Sequence, residues 1–269
     1  MFTEITMNAL LKSFSETSGM SQNSILASLT SIEFEEWKDE LELVNLPLGH
    51  IVCEPGISPA YVIFPITAII SLLYTTQEGT SSEIAVVGND GVVGVSVFMG
   101  GNATPNQAIV QSAGMAYRLK THIAKNVGLT TSPLLYVLLN YTQALIAQIA
   151  QTAVCNRHHS IDQQLCRRIL LSLDRLPSDD LAMTHELLAS LLGVRRESIT
   201  TAALKLQEAG AINYSRGHIK VLDREILEDR TCECYAIVKN ESHRLSQSLL
   251  PARVKAPTKY LNLNSYNLQ

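Results

Sequence analysis

The sequence predicts an α+β protein: an N-terminal β-roll of jelly-roll type, one long helix, and a C-terminal winged helix-turn-helix. Three observations predict it. Short β-branched and aromatic runs alternate with turn residues from Leu43 onward. A stretch free of glycine and proline follows, from Leu134 to Cys155, with apolar residues recurring every seven positions. Between Met183 and Leu222 the pattern reads helix, glycine, helix, hairpin.

The first element is helical, over residues 7–42. Met7, Leu10, Leu11 and Phe14 share one face, and Ile25, Leu26 and Leu29 another. The strands are Leu46–Cys53, Tyr61–Phe64, Ile69–Thr75, Glu83–Val87, Val92–Phe98, Ala108–Ser112 and Met115–Leu119. Turn pairs such as Pro55-Gly56 and Glu78-Gly79 separate them, and such spacing suits a sandwich or jelly roll. Pro133 fits the first turn of the long helix. There Leu135, Thr142 and Ile149 recur every seven residues, as do Leu138, Leu145 and Thr152, with Leu139 and Ile146 alongside. A stripe with two apolar edges serves two partners, here the roll and a second subunit, so these six residues are assigned to dimerisation. The alternative is a purely internal role. A further amphipathic helix spans Arg157–Leu176, with Ile161, Leu165, Ile169 and Leu173 on one face, and Leu176-Pro177-Ser178 breaks it.

Thr184 is the expected N-cap of the first helix of the pair, with Leu187, Leu188 and Leu191 buried and Gly193 ending it in the left-handed conformation. The second helix runs from Arg196 to Ala209, with Ile199, Ala203, Leu204 and Leu206 as core candidates. A hairpin follows, Ala211–Tyr214 and His218–Val221, with Ser215-Arg216-Gly217 at its turn. This geometry presents the second helix to a DNA major groove. Arg195, Arg196, Glu197 and Ser198 open that helix with side chains suited to base edges, and Arg216 at the hairpin tip suits a phosphate. Thr184, Thr201 and Lys205 complete the predicted DNA-binding set.

The charge distribution agrees. The net charge is −4, but residues 1–156 carry −7, residues 157–230 are balanced, and residues 231–269 carry +3. An acidic front and a less acidic back suit DNA contact at one end. No apolar run is expected to span a bilayer, and Met1–Leu11 lacks the basic start of a signal peptide, which points to the cytoplasm. Five cysteines, Cys53, Cys155, Cys166, Cys232 and Cys234, are an odd number without a framework spacing, so reduced thiols are expected.

Over about residues 20–235 the chain resembles the cyclic-AMP receptor protein (Crp/Fnr) family of transcription regulators. Pro55-Gly56, Tyr61–Phe64, Gly91–Gly94 and above all Leu192-Gly193-Val194-Arg195-Arg196-Glu197-Ser198-Ile199 carry the resemblance. It implies a cyclic-nucleotide-binding-like sensor, a dimerising central helix and base reading by Arg196 and Glu197. Thr201 stands where the family has a further basic recognition residue, which implies a different operator preference. The family's nucleotide cassette is degenerate here: Val95 stands in place of the glutamate after Gly94, and Asn106, followed by Gln107, in place of the phosphate-binding arginine. A bound cyclic phosphate would lose its counter-charge, so cyclic AMP is not the expected effector.

The expected domains are residues 1–130 (helices and sensor), 131–157 (dimerisation helix), 158–239 (winged helix-turn-helix) and 240–269 (a weakly ordered tail). The expected partners are double-stranded DNA, a second copy of the chain, an unidentified small-molecule effector and, as a further candidate, RNA polymerase, with no membrane. No cofactor or metal is expected: Cys232 and Cys234 are too close for usual zinc spacing and would point apart on a helix, and His158-His159 reads as a helix junction. Two other functions compete. One is a dimeric ligand-binding β-roll module without DNA binding, against which Arg195, Arg196 and Arg216 speak. The other is a cupin-like enzyme, for which His50, Glu54 and Glu83 are too scattered.

Overall fold

The computed structural model describes residues 19–127, 133–176 and 178–247. The apolar face predicted for Met7–Phe14, and Pro177, lie outside these. Of the helix expected through residue 42, the described part forms a 3-10 turn, Leu26–Ser28, and helix α1, Ser31–Trp37. A capping box fixes α1: the Thr30 hydroxyl accepts from the Glu33 amide, and the Glu33 carboxylate accepts from the Thr30 amide. Glu33 also accepts from the amide of Leu134, so the same cap anchors the start of the long helix. Buried Asn23 donates to the carbonyls of Pro65 and Gly91 and accepts from the amides of Ile25 and Leu26, binding the N-terminal turn to the roll.

The roll is two antiparallel sheets. Strands β1 (Glu42–Leu46), β7 (Gly114–Lys120) and β3 (Tyr61–Pro65) form one, in the order β1-β7-β3. Strands β2 (Ile51–Cys53), β6 (Gln107–Ser112), β4 (Ile69–Thr75) and β5 (Ser81–Val87) form the other, in the order β2-β6-β4-β5. Val62, Phe64, Ile70, Val87, Val110 and Leu119 are fully or nearly fully buried in it. The strand expected at Val92–Phe98 does not form. Val93 makes one bridge to Ile63, and then Gly94, at φ 97°, turns the chain into a short helix α2, Val95–Phe98. That φ is available to glycine and not to a strand.

Helix α3 (Thr121–Val127) leads to α4, Pro133–His158, whose 26 residues span about 39 Å. Its inner face buries Leu134, Leu138, Thr142, Leu145, Gln148 and Thr152. Tyr141 reaches so close to Gly91 that a Cβ there would lie 2.4 Å from the ring. Gln148 accepts from the amide and donates to the carbonyl of Val86, closing the free edge of β5. By length and composition α4 could cross a bilayer, with a mean hydropathy of 1.2 over 18 residues, which corrects the expectation that no segment approaches this. Here one face of it is committed to the protein core.

The next helix begins later than expected. α5 spans Ile161–Leu173, because Ser160 adopts an extended conformation and caps it with Gln163. The chain continues through β8 (Asp180–Ala182), α6 (His185–Leu192), α7 (Arg196–Glu208), β9 (Ile212–Ser215), β10 (His218–Val221), α8 (Arg224–Arg230) and α9 (Glu233–Gln247). Strands pair in the order β8-β10-β9. The expectation of weak order from residue 240 is corrected as far as Gln247. Helix α9 continues through it because Val238 and Leu245 are buried and Gln143 of α4 donates to Glu241. Residues 248–269 lie outside the described part.

The two halves share a core, in which Ile69 and Val86 of the roll pack with Leu165, Ile169 and Leu188. Buried polar ties cross it. Arg168, 2% exposed, donates to Glu83 at 2.8 Å, and Glu83 also accepts from the hydroxyl of Ser71. Arg175 pairs with Asp90 at 2.7 Å.

Candidate nucleic-acid interface

Thr184 caps α6 by accepting from the Leu187 amide, and Gly193 at φ 65° ends the helix. Val194 then donates to the carbonyl of Ala189, closing the turn. Ile199, Ala202, Ala203 and Leu206 bury one side of α7. The opposite side exposes Arg195, Arg196, Glu197, Thr201, Leu204 and Lys205. Leu204 is thus corrected from core to surface, since at 52% exposed it shares the outer stripe with Thr201 and Glu208. Ser198 is half-buried. Arg196 lies 4.0 Å from Glu186 with both side chains well exposed, a contact too loose to hold it. Lys205 is bonded to Asp162 at 2.7 Å, and Thr201 donates back to the Glu197 carbonyl.

The wing is the β9–β10 hairpin. Its turn, Arg216 at φ 51° and Gly217 at φ 84°, has the two left-handed residues of the tightest hairpins, and Arg216 is exposed at the tip. One residue of this region was not singled out in the sequence. His185 stacks on Tyr214 of the wing, with ring centroids 3.9 Å apart, and its Nδ1 lies 3.0 Å from the Thr200 hydroxyl. That hydroxyl donates to the Arg196 carbonyl, so Nδ1 carries the hydrogen and donates. Nε2 is buried without a partner among the described residues. Burial, and then the nearby Arg196 charge, hold the His185 pKa below its ordinary 6.5. A neutral imidazole thus joins the first helix, the recognition-type helix and the wing. Only the Thr184 cap and the helical spacing were available to find it.

In the roll, Gly94, Val95 and Asn106 do line one cavity, of about 280 Å³, with Leu72, Tyr74 and Ile84. Helix α4 closes it with Thr142, Leu145, Ile146 and Ile149. Gln107 does not join them; it donates instead to Glu54 on the surface. Among the described residues, neither an arginine nor a lysine lines this cavity.

Residues 163–230 match the family model of the Crp-like helix-turn-helix domain. The chain carries a Crp-like helix-turn-helix domain. Solved structures with the same fold extend the likeness across both halves. A protein of Eubacterium rectale assigned to the Crp/Fnr transcriptional regulators is 17% identical, with a TM-score of 0.61 over 78% of this chain and 98% of that one. FixK2 from Bradyrhizobium japonicum is 15% identical, with a TM-score of 0.59 over 71% and 98%. The c-di-GMP responsive regulator CLP of Xanthomonas campestris is 17% identical, with a TM-score of 0.55 over 71% and 97%. No curated protein sequence matches the chain. The helix-turn-helix, set on a Crp/Fnr-type fold, makes this a DNA-binding transcription regulator.

The dimerisation assignment needs correction. Leu138, Thr142, Leu145 and Thr152 are buried within the chain, and Leu135 and Ile149 are half-buried against the roll. The outward face of α4 is a different seven-residue stripe: Tyr136, Gln143 and Ala150 with Leu139, Ile146 and Ala153. Of these, Tyr136, Leu139 and Ile146 are 59%, 51% and 60% exposed. Of this outward face, the sequence pattern marked only Leu139 and Ile146.

Proposed function

We propose that the protein is a cytoplasmic, homodimeric regulator that binds a near-palindromic operator, with half-sites about 10 bp or a multiple apart. The observation that carries this is the N-terminal end of α7. Arg195, Arg196 and Glu197 stand exposed there, as does Arg216 at the wing tip, and among the described residues none is held by a buried partner. Arg196 and Glu197 read bases, with Ser198 and Thr201 beside them. Arg216 and Thr184 meet phosphates, as does Lys205 after leaving Asp162. The exposed heptad stripe of α4 forms the dimer seam. RNA polymerase is a candidate partner, and the protein acts by binding DNA rather than by catalysis.

The β4–β5 hairpin, at Gly79–Ser81, faces Arg195–Glu197 across an open cleft of about 730 Å³. We read this as the DNA-free arrangement, from which the winged helix must swing away from β5. The effector is small and uncharged, since the 280 Å³ cavity is lined by apolar side chains with neutral polar ones (Tyr74, Ser96, Thr104, Asn106 and Thr142) and, among the described residues, by no charged group. Cyclic AMP is therefore not expected to bind. Genome-wide mapping of bound DNA tests the regulator reading, and calorimetry with cyclic AMP tests the effector. A shared inverted repeat and no stoichiometric heat are expected. Scattered binding without a motif would refute the first, and a stoichiometric micromolar heat the second.

A further inference from the structure

Four potential ligands lie together where the long helix ends. Cys155 and His159 come from its last turn and the residue beyond, one helical turn apart. Cys232 and Cys234 come from the start of α9. The three Sγ atoms and an imidazole nitrogen all lie within 4.8 Å of one another. Cys155 and Cys232 are 3.6 Å apart, and Cys234 Sγ is 3.4 Å from His159 Nδ1. The close Cys-x-Cys spacing converges because Cys232 precedes the helix and Cys234 lies in its first turn. This corrects the expectation that the two point apart.

We propose that Cys155, His159, Cys232 and Cys234 form a tetrahedral binding site for one zinc ion. With Zn–S about 2.3 Å and Zn–N about 2.0 Å, a tetrahedron separates its donors by about 3.5–3.8 Å, within about 0.1 Å of the 3.6 Å and 3.4 Å found for the Cys155–Cys232 and Cys234–His159 pairs. All three cysteines are buried, at 0%, 4% and 0% exposed, which suits a closed structural site. The supporting groups are in place. His159 presents Nδ1 to Cys234, while its Nε2 lies 3.3 Å from the Glu233 carboxylate, the outer partner that fixes a ligating imidazole. Gln151 Nε2 donates to Cys234 Sγ at 3.1 Å, as it would to a thiolate.

Charge also closes. Zinc binding converts three thiols to thiolates and releases three protons, leaving a site of net charge −1. Arg167, 5% exposed, is near enough for its charge to act on Cys155. Its Nη2 donates to Thr152, and its Nε has no partner among the described residues. It supplies the balancing cation. The donor set is too compact for an iron–sulfur cluster, whose several irons hold their cysteines farther apart. The ion would join the end of α4 to the start of α9, across the junction at Ser160 where the winged-helix half begins.

The test is metal analysis of the full-length protein, followed by removal of the metal and titration with cobalt(II). One zinc per chain is expected, and one cobalt per chain with thiolate charge-transfer and tetrahedral ligand-field bands, displaced by zinc. Cys155→Ser and Cys232→Ser should lose these bands, while Cys166→Ala, a buried cysteine outside the cluster, should keep them. Glu233→Gln, on an exposed side chain, should keep the fold and weaken metal affinity about tenfold. A wild-type chain that takes up no cobalt overturns the proposal, whatever the variants do. So do bands that persist in both serine variants, a Cys155–Cys232 disulfide in place of metal, or iron with inorganic sulfide.

Discussion

At the scale of single residues, Arg196 and Arg216 differ in what their loss should do. Arg196 stands at the opening of α7, where a side chain can meet a guanine edge, so Arg196→Ala should cost about 1–3 kcal/mol and relax preference at one base position. Arg216, on the wing turn, should hold phosphate. Arg216→Ala should weaken all sequences alike and lower the salt slope by about one unit. Titration against single-base operator variants at two salt concentrations separates them; a uniform loss with Arg196→Ala would displace α7 from the groove. His185 gives a second test. Its folded pKa is depressed, so below its ordinary 6.5 the unfolded chain takes a proton that the fold resists. Its contribution is complete above that pH and is lost as pH falls through the folded value. His185→Phe keeps the stack on Tyr214 and cannot titrate, so its melting temperature should fall less than the wild type's between about pH 7.5 and 5.5. An equal fall would remove His185 as the acid-sensitive link. The sequence showed Arg196 and Arg216 because motif position defines them. It hid His185, whose role depends on Tyr214 and Thr200, 29 and 15 residues away.

At the scale of elements, α4 carries two neighbouring seven-residue stripes, and substitutions one position apart should separate them. Leu145→Ala removes a buried side chain and should cost about 2–5 kcal/mol of stability with little change in association. Ile146→Asp places a charge on the exposed stripe. It should leave the stability of the single chain within about 0.5 kcal/mol while shifting light scattering toward monomer. If Ile146→Asp remains fully dimeric and Leu145→Ala dissociates, the seam lies on the face buried here. Periodicity revealed the stripe of Leu138 and Leu145 with Leu139 and Ile146 alongside, yet could not say which of these residues face the roll. Tyr141 settles that by packing at Gly91, and Gln148 by pairing with the edge of β5. The strand read at Val92–Phe98 failed for a related reason: β-branched composition is shared by strands and short buried helices, and the left-handed Gly94 decided between them. Helix α9 beyond residue 240 was unreadable because its polar sequence gains order from packing on α4, not from its own propensity.

At the scale of the whole molecule, the two halves are held by ties that fold-level patterning does not encode. The sequence announced a roll, a helix and a winged helix; it did not announce that Arg168 would be buried on Glu83. Glu83→Gln leaves the guanidinium without its counter-ion, which disfavours the docked arrangement by about 3–5 kcal/mol. Operator affinity should rise, and small-angle scattering should show a larger radius of gyration without unfolding. Unchanged scattering with unchanged affinity would mean that docking does not restrain DNA binding. The position of Ile146 has a last consequence. The same side chain lines the cavity of the roll and stands in the exposed stripe where a second chain would pack. Whatever fills that cavity would then be sealed in by the neighbouring chain. Occupancy and assembly would be thermodynamically linked, each strengthening the other by the same factor. The apparent affinity for an effector would therefore rise with protein concentration, and the cell could set its sensitivity to the signal simply by how much of the regulator it makes.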